Sequence, residues 1–226
     1  MSPHLSRGVL ITLEGGDGSG KSTQARALAE LLRGDGYPVL LTEEPAGTEL
    51  GRAIKDIFKQ LAAPETTLSM SPTAELFLFE AARAQHVEEV IRPALERGEV
   101  VLCDRFCDST LAYQGHGRGL NLDHIRACNH IATGGLTPDL TLVLDVPPEI
   151  GLARADTGTA GIESQEKARD SIGQESLAFH RRVREGFATL SLKEPNRMIT
   201  LDATLPQAAV TQAAWEHTRN RLEHIL

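Results

Sequence analysis

Residues 15–22 read Gly15-Gly16-Asp17-Gly18-Ser19-Gly20-Lys21-Ser22 and match G-x-x-x-x-G-K-[ST] at every fixed position. The flanks decide whether such a match means anything. Before it lies the apolar run Val9-Leu10-Ile11-Thr12-Leu13-Glu14, which reads as a buried strand. After it, Ala25, Leu28, Ala29 and Leu32 recur with helical spacing across 22–32. A chance glycine-rich turn would need neither flank. A strand–loop–helix with these glycines folds its backbone N–H groups toward one point, and the following helix adds the positive end of its dipole. Lys21 then reaches β- and γ-phosphates and the Ser22 hydroxyl is placed to ligate Mg²⁺. The phosphate-contacting set is Gly15, Gly16, Asp17, Gly18, Ser19, Gly20, Lys21 and Ser22, with Thr23 following in the first helical turn.

The remainder of the chain has the size and pattern of one α/β domain. Its 226 residues are 41% hydrophobic, enough for a sizeable core. With 23 basic and 31 acidic side chains the net charge is −8, which argues against general nucleic-acid or membrane-surface binding. Three cysteines, an odd number without zinc-like spacing, suggest a reducing compartment, with Cys103 and Cys107 read as small core residues. No apolar run approaches the length of a membrane span or a signal peptide, so the expected location is the cytoplasm.

Strand-like segments at 9–14, 38–42, 100–104, 140–145 and 198–201 alternate with helical segments at 22–32, 49–59, 73–97, 122–132, 148–155, 175–192 and 206–226. This alternation predicts a mainly parallel sheet with helices on its faces. Residues 156–173 differ. They are rich in Gly, Thr, Ala and Ser and carry charges without an apolar face, which reads either as a surface loop or as a lid that shields a phosphoryl donor from water.

Ligands in parallel sheets gather at the carboxyl ends of the strands. Asp104 stands there after Val100-Val101-Leu102-Cys103 and is placed to bind Mg²⁺ through water; Arg105 beside it is suited to an acceptor phosphate. A strand-end salt bridge is the plainer reading of that pair. Ser109, Thr110 and Gln114 follow as short hydrogen-bonding groups that either read a ligand or cap a helix. Phe79 and Arg83, four apart, share a helix face; either they stack on and hydrogen-bond a base, or Phe79 is core and Arg83 is solvated or salt-bridged.

Taken together, the motifs resemble the bacterial thymidylate (dTMP) kinases, members of the P-loop nucleoside-monophosphate kinases. The resemblance runs through Leu13-Glu14-Gly15, Gly20-Lys21-Ser22-Thr23-Gln24, Glu44-Pro45-Ala46-Gly47-Thr48, residues 79–86 and 91–95, Asp104-Arg105-Phe106, residues 112–119 and 138–149, and Leu201-Asp202-Ala203. It implies a three-layer P-loop fold with a five-stranded parallel sheet in one domain, ATP and Mg²⁺ as cofactors, dTMP as acceptor, and a homodimer. On this resemblance Asp17 would meet the deoxyribose 3′-hydroxyl, Phe79 would stack on thymine, and Arg83 would bond its carbonyl. Arg105 would hold the acceptor phosphate, Thr110 and Gln114 would complete the pocket, and Ala203 would lie near adenine.

The chain also departs from the family pattern. The usual T-R-E-P-G-G-T is here Thr42-Glu43-Glu44-Pro45-Ala46-Gly47-Thr48, and an arginine expected to face the acceptor phosphate is Lys55. Family members with a small residue at the position of Gly18 usually carry a catalytic arginine in the lid, within a D-R-I/F-E motif. This chain has Asp170-Ser171-Ile172-Gly173, leaving Arg154, Lys167 and Arg169 as lid cations, with Lys167 or Arg169 expected to take that role. The main expectation is ATP-dependent formation of dTDP. The alternatives are a kinase for another (deoxy)pyrimidine monophosphate and a catalytically weakened nucleotide-binding homologue.

Overall fold

A computed structural model describes residues 6–157 and 171–225. Five strands, β1 (Val9–Gly15), β2 (Val39–Glu43), β3 (Val100–Asp104), β4 (Leu140–Asp145) and β5 (Met198–Asp202), form a parallel sheet in the order β2-β3-β1-β4-β5. Each strand begins or ends within two residues of its expected bounds. The strand that feeds the glycine-rich loop is central, and the register sets Leu13 beside Asp104 and Glu43 beside Asp104 on the other side. Three carboxyl ends therefore open onto one place, the crevice where parallel sheets bind ligands.

Helices cover both faces. The described residues contain α1 (Lys21–Gly34), α2 (Glu49–Leu61), α3 (Pro72–His86), α4 (Arg92–Glu96), α5 (Cys107–Thr110), α6 (Leu122–Thr133), α7 (Pro148–Asp156), α8 (Leu177–Lys193) and α9 (Gln207–Glu223). The two-residue period of the strands sorts the core. Val9, Ile11, Leu13, Val100, Leu102, Leu142 and Leu144 face α1 and α9, meeting Leu28, Leu32, Val210 and Leu222. On the opposite face Leu10, Val101 and Cys103 pack under Val87, Ile91 and Phe106, while Val143 and Met198 pack under Phe179, Val183 and Phe187 of α8.

Two helical regions differ from the sequence pattern. The single helix expected over 73–97 is α3 and α4 joined by a π-helical turn, Val87–Ile91, in which the Arg92 N–H reaches back five residues to the Val87 carbonyl. Pro93 explains it: its ring cannot sit over the carbonyl of a regular preceding turn, so the helix widens before it. The second region was not expected as helix. α5 runs into a π-helical segment, Leu111–Gly117, despite Ser109, Thr110, Gly115 and Gly117, all weak helix formers. Packing overrides propensity here. Ala112 and Tyr113 are buried against α8, and a Cβ on Gly117 would lie 2.6 Å from the Phe179 ring, so only glycine admits this approach.

Of the region 156–173, residues 158–170 lie outside the described residues, and with them Lys167 and Arg169. Its near end, Asp156, closes α7. At its far end Ile172 is buried in the core beneath α8, and the Ser171 N–H meets the Phe58 carbonyl at 3.3 Å.

Candidate active site

The glycine-rich loop joins β1 to α1. Side chains cap α2, α3, α6 and α8 through Thr48, Ser71, Asn121 and Ser176, whereas no side chain caps α1. Its first N–H groups thus face the loop without a side-chain acceptor, as an anion site requires. Lys21 folds over the loop and donates to the Gly15 carbonyl at 3.2 Å and the Gly16 carbonyl at 2.9 Å. Burial, and then the neighbouring Arg105 cation, pull the Lys21 ammonium down to about 8. A phosphate chain beside it would reverse both effects by supplying negative charge.

Gly18 has φ +67, and a Cβ there would lie 1.8 Å from the Gly151 carbonyl oxygen of α7. The lack of an arginine at this loop position therefore has a steric cause: α7 occupies the space that any side chain would enter.

The Ser22 hydroxyl donates to Asp104 Oδ2 at 2.5 Å. Asp104 Oδ1 is buried and has no hydrogen-bond partner. A buried carboxylate oxygen left without a donor, beside a loop serine, has the hard-oxygen chemistry that suits Mg²⁺ or its bound water. The residues present thus fit the expected cation.

Arg105 is the one non-glycine residue with positive φ among the described residues, at 71°. Such a backbone costs roughly 1 kcal/mol and persists where surrounding contacts impose it. The contacts are numerous. Arg105 donates to Asp17 Oδ1 at 2.5 Å, to the Tyr113 hydroxyl at 3.2 Å, to Ser109 Oγ at 3.2 Å and to the Gly15 carbonyl at 3.4 Å, and it lies over the Tyr113 ring at 4.9 Å. The Tyr113 hydroxyl in turn donates to Asp17 Oδ1 at 3.1 Å. Burial works against the charge on both members of this pair. For Asp17 the Arg105 and Lys21 cations outweigh it and hold the carboxyl below its usual range; for Arg105 the surrounding Tyr113, Asp17 and Asp104 outweigh it and raise the guanidinium further.

Glu14 fixes the segment that carries Arg105. It is fully buried; its Oε1 accepts from the N–H groups of Phe106 at 2.7 Å and Ser109 at 3.2 Å, and the Ser109 hydroxyl donates to Oε2 at 2.5 Å. The last residues of β1 thereby anchor the start of α5. Burial, reinforced by Asp108, pushes the Glu14 carboxyl up to about 8.

The residues expected to meet a base lie on α3, on α5 and on the π-helical segment that follows it. Phe79 is half-buried and stacks on Phe58 with ring centroids 4.6 Å apart and planes 13° from parallel. Arg83 is 2% exposed. Its donors meet Glu44 and Glu80 at 3.0 Å, Asn129 at 2.7 Å and the Phe106 carbonyl at 3.2 Å. It is thus the hub of a buried network rather than a solvated cation. Thr110 and Gln114 are buried one turn apart, Gln114 bonded to Glu75. Ala203 follows directly after β5, its N–H on the Asp145 carbonyl and its carbonyl accepting from Arg154 at 2.9 Å.

Two of the unusual positions meet. Lys55 of α2 donates to Glu43, at the end of β2, at 3.1 Å. The carboxylate that replaces the usual cation of the 42–48 segment thus holds the lysine that replaces the usual arginine of α2. The sequence assigned no role to Glu14, Glu44, Glu75, Tyr113 or Asn129, though Glu14, Glu44 and Tyr113 stand inside the motifs that carried the resemblance. Their signal was acidic or aromatic residues inside apolar surroundings, which by themselves do not say what they touch.

Comparison with known proteins agrees with this geometry. Residues 13–214 match the family described as thymidylate kinase. The thymidylate kinase of Synechococcus sp. (strain JA-2-3B'a(2-13)) is 51% identical over 214 residues, covering 95% of this chain and 96% of the relative. That of Deinococcus radiodurans is 45% identical over 217 residues, covering 96% and 99%. Among solved structures, the thymidylate kinase of Ehrlichia chaffeensis superposes with a TM-score of 0.71 at 30% identity, covering 93% of this chain and 98% of that one. With the central phosphate loop, the Asp104–Arg105 strand end and this extent of similarity in hand, the chain belongs to the thymidylate kinase family.

Proposed function

We propose that this protein transfers the γ-phosphoryl group of ATP to dTMP, giving dTDP, in the cytoplasm, with Mg²⁺ and as a homodimer. The observation that carries the reading is the meeting of Asp17, Arg105 and Tyr113 beneath the phosphate loop, in a chain of this family. Phosphoryl transfer asks little covalent chemistry of a protein; it asks for in-line placement and for cations where charge moves. Lys21 and Arg105 supply two such cations. Lys167 or Arg169 supplies a third from the lid. Ser22, and Asp104 through water, would hold Mg²⁺, which would supply positive charge against the phosphate oxygens.

On the acceptor side Arg105, with Lys55, binds the dTMP phosphate. Asp17 gives its Oδ2, which has no donor among the described residues, to the 3′-hydroxyl. Phe79, backed by Phe58, stacks on thymine. Arg83 reaches a base carbonyl by sharing one of its donors, since each already meets a protein acceptor. Thr110 and Gln114 close the pocket, and the Ala203 turn borders adenine. Dimerisation would bury Phe77 and Ile131, which are 57% and 79% exposed on the adjacent helices α3 and α6.

A panel of monophosphates with ATP and Mg²⁺ tests the reading. Turnover should be fastest with dTMP. Faster transfer to dCMP or UMP, or tight ATP binding without transfer to any acceptor, would refute it. Sedimentation should show a dimer, and Ile131→Glu should yield monomers.

A further inference from the structure

Gln114 is 2% exposed, yet half of its amide has no partner among the described residues. Its Nε2 donates to Glu75 Oε1 at 2.8 Å, while no described residue donates to its Oε1. The orientation is dictated by chemistry. Arg118 grips both oxygens of Glu75, Nε on Oε1 at 3.1 Å and Nη2 on Oε2 at 2.8 Å, so Glu75 only accepts and the amide nitrogen must face it. Arg118 is itself braced, lying over the Phe179 ring at 4.8 Å and bonded to Glu175. Glu75, Phe79 and Arg83 stand at i, i+4 and i+8 on α3 and so share one face. Gln114, bonded to Glu75, is therefore tied to the face of α3 that carries Phe79 and Arg83, the face against which the proposed base stacks.

We propose that Glu75, braced by Arg118, is a positioning residue that sets the choice of base: it turns the Gln114 amide so that an acceptor, never a donor, faces the pyrimidine edge. This rests on the reading that the acceptor is a pyrimidine monophosphate. Thymine and uracil carry a donor at N3 and pair with that oxygen. Cytosine carries an acceptor at N3, so two lone pairs meet in a buried site. Rejection then comes from an unsatisfiable contact rather than from size.

The test compares dTMP with 5-methyl-dCMP, which keeps the methyl group and changes only the N3 and C4 pattern. In E75Q the new amide can donate to Gln114, which turns and shows its NH₂ to the base. The kcat/KM ratio for dTMP over 5-methyl-dCMP should fall by about tenfold or more, with KM for ATP unchanged. The double variant E75Q/Q114E restores an acceptor at the base and should restore the ratio. In wild-type protein with ¹⁵N-labelled glutamine, the Gln114 NH₂ signals should exchange slowly and move little on dTMP binding, a readout that does not depend on any variant folding. An unchanged ratio in folded E75Q, or a large dTMP-induced shift of that NH₂, overturns the role of Glu75 while leaving dTMP phosphorylation standing. A wild type that transfers to no pyrimidine monophosphate overturns both readings.

Discussion

Glu14→Gln isolates the electrostatic strain that the site builds into its own foundation. In the native protein the Glu14 carboxyl is raised from 4.5 to about 8, by burial first and by Asp108 second. Below pH 4.5 both folded and unfolded chains hold the proton. Between 4.5 and 8 the unfolded chain releases it and the folded one keeps it, so stability falls as pH rises, by up to about 1.4 kcal/mol per unit. Over that window the loss sums to about 5 kcal/mol at most. Lys21 acts with the opposite sign and in a different window. Its ammonium is lowered from 10.5 to about 8, so its contribution is present above 10.5 and is lost as pH falls through 8. Glutamine reproduces the protonated carboxyl: its oxygen accepts from the Phe106 and Ser109 N–H groups and its NH₂ meets the Ser109 hydroxyl. Urea unfolding of wild type and E14Q at pH 5, 6, 7 and 8 should give curves that diverge. E14Q should gain on wild type by roughly 2–5 kcal/mol between pH 5 and pH 8. Parallel curves would show that Glu14 is ionised in the folded protein and would refute the argument.

Three further outcomes follow from the site. Lys21→Ala should slow phosphoryl transfer by about 10²–10³ in kcat while far-UV circular dichroism stays native, because the ammonium's only described bonds are to the loop beneath it. Gly18→Ala should lower stability by at least roughly 1–2 kcal/mol and weaken ATP binding, read by thermal unfolding and titration, since its φ of +67 disfavours a side chain and Gly151 blocks the space. Lys167→Ala and Arg169→Ala should be compared singly and together in single-turnover assays; the lid cation should cost about 10³ when lost, and full activity in the pair would exclude both.

Much of the fold was legible because it rests on local pattern. Five short apolar runs alternating with helical segments leave few architectures open, and the observed strands follow those runs closely. The helical segment over residues 107–117 was not legible, because its glycines and hydroxyl residues argue against helix and it is held by remote partners, Glu14 and Glu75 as well as Phe179 and Val183. The site divides in the same way. Lys21, Ser22, Asp104 and Arg105 were visible because a contiguous motif at a strand end carries its own geometry. Partners far apart in sequence were not. Lys55 and Glu43 read as two unrelated oddities until β2 and α2 brought them within 3.1 Å. Arg83 read either as a base-contacting group or as a solvated or salt-bridged one, and the sequence named none of the partners, Glu44, Glu80 and Asn129, that close around it.

By itself, then, the order of residues determined a parallel α/β domain with a phosphate-binding loop on its central strand, because strand period, helix period and the glycine motif act over distances of a few residues. Only the tertiary structure decided which charges are paired, which amide oxygen lacks a donor among the described residues and why no side chain fits at Gly18. Those properties depend on groups brought together from remote parts of the chain, in a buried setting where one unmatched donor or acceptor outweighs many local preferences.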